Sequence, residues 1–130
     1  MIPEIKYKQF VIVPKDPVMS TGKIASQVAH ATFMALEQQK GQPIIDDWKK
    51  NGMCVIVLEC VDTHQLMGWA EYLKQWKVPH HLYIDEGITE ISMGTPTALA
   101  TGVLPEDKHW IFGTMKMFKE EKSFFKKLIE

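Results

Sequence analysis

Two short apolar runs, QFVIV at residues 9–13 and MCVIVLEC at residues 53–60, are separated by a stretch patterned for helices. Each run is rich in β-branched residues and too short for a buried helix, so each is expected to be a strand. Between them Ile24, Val28, Ala31 and Ala35 recur at spacings of four, three and four, which puts one face of a helix against a core. Strand, helix and strand in that order commit the chain to an α/β fold, with helices on both faces of one sheet.

The remaining elements follow from punctuation. Ser20 or Thr21 caps the first helix, which runs to about Gln39 before Gly41. Pro43 opens a short second helix with Asp46 and Asp47 early and Lys49 and Lys50 late, in accord with the helix dipole. The second strand is nearly continuous in apolar residues, so both of its faces are expected to be covered. Asp62 or Thr63 caps a third helix ended by Val78-Pro79; HHLYID is a third strand and TPTALAT a fourth. From Pro105 onward apolar and charged residues alternate at helical spacing, with Gly113 as a weak point, and residues 118–130 are expected to form a C-terminal helical extension. No repeat or linker divides residues 1–130, which are expected to form a single domain.

A chain of 130 residues can bury one core, and 45% hydrophobic with 24% charged residues excludes the composition of disorder. All 15 basic residues are Lys, so phosphate contacts must come from ammonium groups, backbone N–H groups and hydroxyls rather than guanidinium forks. The formal net charge of −1 gives a polyanion no long-range attraction, which leaves only local patches. Those could be Lys6, Lys8, Lys15 and Lys23 near the first strand and helix, or Lys116, Lys119, Lys122, Lys126 and Lys127 at the end. Cys54 and Cys60 lie about 20 Å apart along one strand and cannot bridge. Two free thiols fit a reducing cytoplasm; the first residues lack the apolar run of a signal peptide, and no stretch is long enough for a membrane helix.

Chemistry concentrates in two places. The first is STGK at residues 20–23. A nucleotide P-loop needs Gly five places before the Gly-Lys pair and Ser or Thr after it, where this chain has Pro17 and Ile24, so that reading fails. What remains is a helix mouth at Ser20-Thr21-Gly22 able to hold an anion. Lys23, Gln27, His30 and Met34 form a second face of this helix, read either as a solvated surface with a half-buried histidine or as the wall of a site.

The second place is IDEGITEISMGTPTALATG at residues 84–102, which gathers Asp85, Glu86, Thr89, Thr95, Thr97 and Thr101 around one strand-turn-strand. Asp85 stands at the carboxyl end of its strand, the edge where open α/β sheets bind ligands. Turn chemistry alone would also use Asp, Gly and Thr, and the residues leave both readings open. No GxSxG elbow is present, and adjacent His80 and His81 on a strand point to opposite faces, so neither a serine nucleophile nor a metal is expected. No cofactor is expected either.

Taken together, KQFVIV, MSTGKIASQVAHA and DEGITEISMGTPTALATG resemble the type II, archaeal and eukaryotic-type, peptidyl-tRNA hydrolases from about Lys8 to Met117. The resemblance implies a three-layer α/β/α sandwich with a mixed four-stranded sheet, commonly a homodimer, that cleaves the ester between a peptide and the 3′ ribose of tRNA. It matches catalytic positions to Lys23, to Asp85 and Thr89 of a DxGxT motif, and to Thr97 of a GTPT motif. Substrate-binding positions match Ser20, Gly22, Gln27, His30, Gly94 and Thr95. The chain departs from the family pattern at Glu86, at Ile88, where Arg is usual, and at Met93.

Ester hydrolysis needs an activated water, a stabilised oxyanion and a proton for the leaving oxygen. Asp85 is expected to orient or deprotonate the water, Lys23 to stabilise the oxyanion, and Thr89 and Thr97 to position Asp85 and the substrate. His30 is a candidate proton donor or 3′-adenosine contact, or else a structural imidazole. The competing expectation is a hydrolase-like fold without turnover that binds RNA or another protein.

Overall fold

The computed structural model describes residues 4–87 and 90–119. Its elements are β1 (Tyr7–Asp16), α1 (Thr21–Glu37), α2 (Pro43–Lys50), β2 (Cys54–Asp62), α3 (Thr63–Gln75), β3 (His80–Ile84) and β4 (Pro96–Pro105), followed by a 3-10 helix at Glu106–Phe112. The strands form one sheet in the order β2-β1-β4-β3. β1 runs parallel to β2 and antiparallel to β4, and β3 is antiparallel to β4, so the sheet is mixed.

The period-2 alternation of the two central strands divides the core between the faces of the sheet. Phe10, Ile12 and Leu99 face Leu66 and Leu73 of α3 and Phe112 of the 3-10 helix. Val11, Val13, Ala98 and Ala100 face Ala31 and Ala35 of α1. The small side chains on both sides of that second contact let α1 lie close to the sheet, which brings its first turn over the carboxyl end of β1 and the end of β3. The result is the expected α/β/α layering around a mixed four-stranded sheet.

Two expectations change. β2 is not covered on both faces: it is an edge strand, with Val55 40% and Val61 65% exposed. Its apolar run instead serves Ile56, Leu58 and Cys60 on the α3 side and Val57 on the α1 side. Nor does the chain continue as helix after Phe112. Residues 116–118 run along the free edge of β2, where Glu59 N donates to Lys116 O and Phe118 N to Val57 O, each at 2.9 Å. An unpaired edge is a template for aggregation, and this segment covers part of it. Residues 120–130, most of the expected helical extension, lie outside the described residues.

β4 carries a local irregularity opposite Gln9 and Val11, and Gly102 lies within it, against the Gln39 side chain. A Cβ there would meet the Gln39 side chain at 2.6 Å. That side chain is buried and tied to Val103, accepting from its N–H at 2.7 Å and donating to its carbonyl at 3.0 Å.

Candidate active site

α1 starts where the resemblance needs it. Ser20 is its N-cap, with its hydroxyl accepting from Lys23 N at 3.2 Å. Ser20 is in turn gripped by Glu90, whose carboxylate accepts from the Ser20 N–H at 3.0 Å and from the Ser20 hydroxyl. Both bonds, the hydroxyl's first, hold the Glu90 carboxyl below the usual range. The anion expected at this helix mouth is therefore supplied, at Ser20, by the protein itself.

Asp85 follows β3 and is fixed by its backbone on both sides: its N–H donates to Thr95 O and its carbonyl accepts from Gly94 N, each at 2.9 Å. Its Oδ2 accepts from Gly87 N at 2.9 Å, closing a tight turn. Gly87 has φ +74°, and a Cβ on it would sit 2.6 Å from Met93 N, so the turn admits no side chain there. These bonds account for Gly94 and Thr95 as builders of the turn. The Thr95 hydroxyl donates to Ser92 O at 2.8 Å.

Across the gap from α1, Lys23 Nζ lies 2.7 Å from Asp85 Oδ1, with side-chain exposures of 10% and 4%. The Lys23 hydrogen bond outweighs burial and, with the Gly87 N–H, keeps the Asp85 carboxyl below its ordinary range. Asp85 is thus a persistent carboxylate, a strong acceptor and a weak base. Each of its oxygens accepts one protein N–H and has lone-pair capacity left for a water.

Lys23 and Asp85 open onto a cleft of about 620 Å³, a size ordinary for ligand sites. Gly22, Gln27 and His30 also line it, together with Ser26, Tyr83, Glu86 and Glu90. Gln27 is buried and accepts a hydrogen bond from the Thr97 hydroxyl of β4, which is wholly buried. Thr97 therefore acts on the cleft through Gln27 rather than by touching Asp85. The His30 ring stacks on Tyr83 with centroids 4.8 Å apart. Among the described residues, no group of three His, Cys, Asp or Glu side chains is arranged to hold a metal ion.

Residues 7–118 match the family model described as Peptidyl-tRNA hydrolase PTH2. The chain belongs to this family. Its relatives include a peptidyl-tRNA hydrolase of Methanopyrus kandleri, 38% identical over 78% of this chain and 89% of the relative. A peptidyl-tRNA hydrolase of Thermococcus onnurineus is 36% identical over 78% of this chain and 88% of the relative. A probable peptidyl-tRNA hydrolase 2 of Caenorhabditis elegans is 31% identical over 85% of this chain and 36% of the larger protein.

In this PTH2 family member the fold brings Gly22, Lys23, Gln27, His30 and Asp85 to one cleft, with Thr97 one hydrogen bond behind it. Ser20, Gly94 and Thr95 are not among the residues lining the cleft; Ser20 caps α1, and Gly94 and Thr95 hold the Asp85 backbone. Thr89 and Ile88 lie outside the described residues. Sequence reasoning missed Tyr83, Ser26 and Glu90. Tyr83 was within reach, since two residues before Asp85 on a strand means the same face. Nothing in the local sequence ties Glu90 to Ser20, 70 residues earlier.

Proposed function

We propose that this cleft hydrolyses the ester joining a peptide to the 3′ ribose of tRNA, with the Lys23–Asp85 pair at its centre. The observation that carries the reading is that pair: an ammonium and a carboxylate 2.7 Å apart, both nearly buried, at a cleft mouth inside the family match. Asp85 orients the attacking water rather than fully deprotonating it, because its depressed pKa makes it a poor proton acceptor at neutral pH. The water oxygen bonds to the ester carbonyl carbon, the bond from that carbon to the ribose 3′ oxygen breaks, and the water's proton leaves with the ribose. Lys23 places positive charge beside the carbonyl oxygen as it becomes an oxyanion.

Gln27, braced by Thr97, lines the wall next to this pair, and the family resemblance assigns a catalytic role to Thr89 of the DxGxT motif. Asp85, Glu86 and Glu90 line the same cleft as Lys23, and this acidic lining favours an ester over a phosphate. The tRNA phosphates are met by lysines outside it, and binding weakens steeply with salt. The reading places the protein in the cytoplasm, in keeping with its free Cys54 and Cys60, and pairs it with a second copy, in keeping with exposed Trp76 and Trp110. No helix among the described residues is long and apolar enough to cross a membrane.

The test sets peptidyl-tRNA beside a simple N-blocked aminoacyl ester. Turnover of the first and not the second supports the reading. Equal turnover of both would make this a small-molecule esterase, and binding without turnover would make it an RNA-binding module.

A further inference from the structure

We propose that His30 and Tyr83 form a stacking platform for the 3′-terminal base of the tRNA, an inference that rests on the hydrolase reading of the same cleft. Tyr83 is anchored: it pairs with Ala98 in the sheet and packs against the core cluster beneath α1. It carries the imidazole of His30 at 4.8 Å with the ring planes 19° apart. His30 is exposed and lines the cleft, so a further flat ring can continue the stack. Neither His30 ring nitrogen is hydrogen-bonded to protein among the described residues. Its contact is through the ring face, the geometry of a platform and not of a proton relay.

Position agrees with that role. His30 is seven residues after Lys23 on the same helix face, about 10 Å along the axis at 1.5 Å per residue. That is comparable to the span of one nucleoside, so an ester carbonyl at Lys23 and Asp85 would leave the terminal base beside His30. Stacking is indifferent to the peptide and common to every tRNA ending in the same base, which suits a substrate class with varied peptides. The chain has no Arg to stack on or fork around a base, so aromatic faces must do this work.

The experiment measures kcat and KM for wild type, His30→Ala and His30→Phe on two peptidyl-tRNAs, one ending in adenosine and one with an abasic ribose at that position. Wild type is expected to lose about five- to a hundredfold in kcat/KM on the abasic substrate, mainly through KM. His30→Ala should scarcely distinguish the two substrates, and His30→Phe should retain the distinction. The platform is overturned if His30→Ala discriminates as wild type does, or if His30→Phe loses kcat as fully as His30→Ala, which would make the imidazole a proton donor. Absence of wild-type turnover on the natural substrate would instead remove the hydrolase reading, and this proposal with it.

Discussion

Replacing Lys23 by Met keeps the aliphatic stem and removes the charge, leaving Asp85 as a carboxylate only 4% exposed. Removing one partner of a buried ion pair costs about 3–5 kcal/mol, a large part of a typical domain's 5–15 kcal/mol. The lower end applies here, because the Gly87 N–H still bonds Oδ2. Asp85→Asn should cost less, about 1–2 kcal/mol, since Lys23 at 10% exposure can reach water. In the double variant both charges are gone, so its loss should fall below the sum of the single losses by about 2 kcal/mol.

The pH dependence gives an independent check. In the wild type the Asp85 pKa is depressed, so its stabilisation is complete above the unfolded-state value of about 3.9 and is lost as pH falls through the lower folded value. Without Lys23 the sign reverses, because burial outweighs the Gly87 bond and the folded pKa rises above the unfolded one. The variant then recovers stability as pH falls toward 4, and the gap to wild type narrows. Urea unfolding of the four proteins at pH 7 and pH 4 measures all of this. Additivity within about 0.5 kcal/mol, or a gap unchanged between the two pH values, would mean that Lys23 and Asp85 are not energetically coupled.

Thr97→Val leaves the buried Gln27 carbonyl without its donor and should cost about 1–3 kcal/mol in urea unfolding, with Thr97→Ser close to wild type. Gly102→Ala drives a Cβ into Gln39 at 2.6 Å and should cost about 1–3 kcal/mol by thermal denaturation; an unchanged Tm would mean the strand relaxes freely. Burial pushes the Cys60 thiol up to about 11, so at pH 8 a thiol reagent should label the partly exposed Cys54 and reach Cys60 only in denaturant. Equal labelling of both in the folded protein would contradict that burial.

What was legible in the sequence is what local periodicity encodes. The stripe from Ile24 to Ala35 and the run QFVIV appear as α1 and the buried middle of β1. Which strand lies at the edge depends on pairing between distant segments, so the apolar run of β2 looked doubly covered when it is not. The tail failed for a related reason: its apolar residues kept helical spacing, but Glu59 and Val57 offered backbone partners that drew residues 116–118 into an extended path. The site divides likewise. Lys23 and Asp85, 62 residues apart, were paired through the resemblance of two motifs and not through spacing. Glu90 and Tyr83 lacked such a guide, and only the folded chain places them.

The proposed joint role of Lys23 and Asp85 in the hydrolysis is open to measurement. Its most direct test is kcat/KM for release of peptide from peptidyl-tRNA by wild type, Lys23→Ala and Asp85→Ala, each shown to be folded by circular dichroism. Each single variant is expected to lose about a hundredfold or more, with the double variant little worse than either. Activity within a few-fold of wild type in both single variants would contradict it.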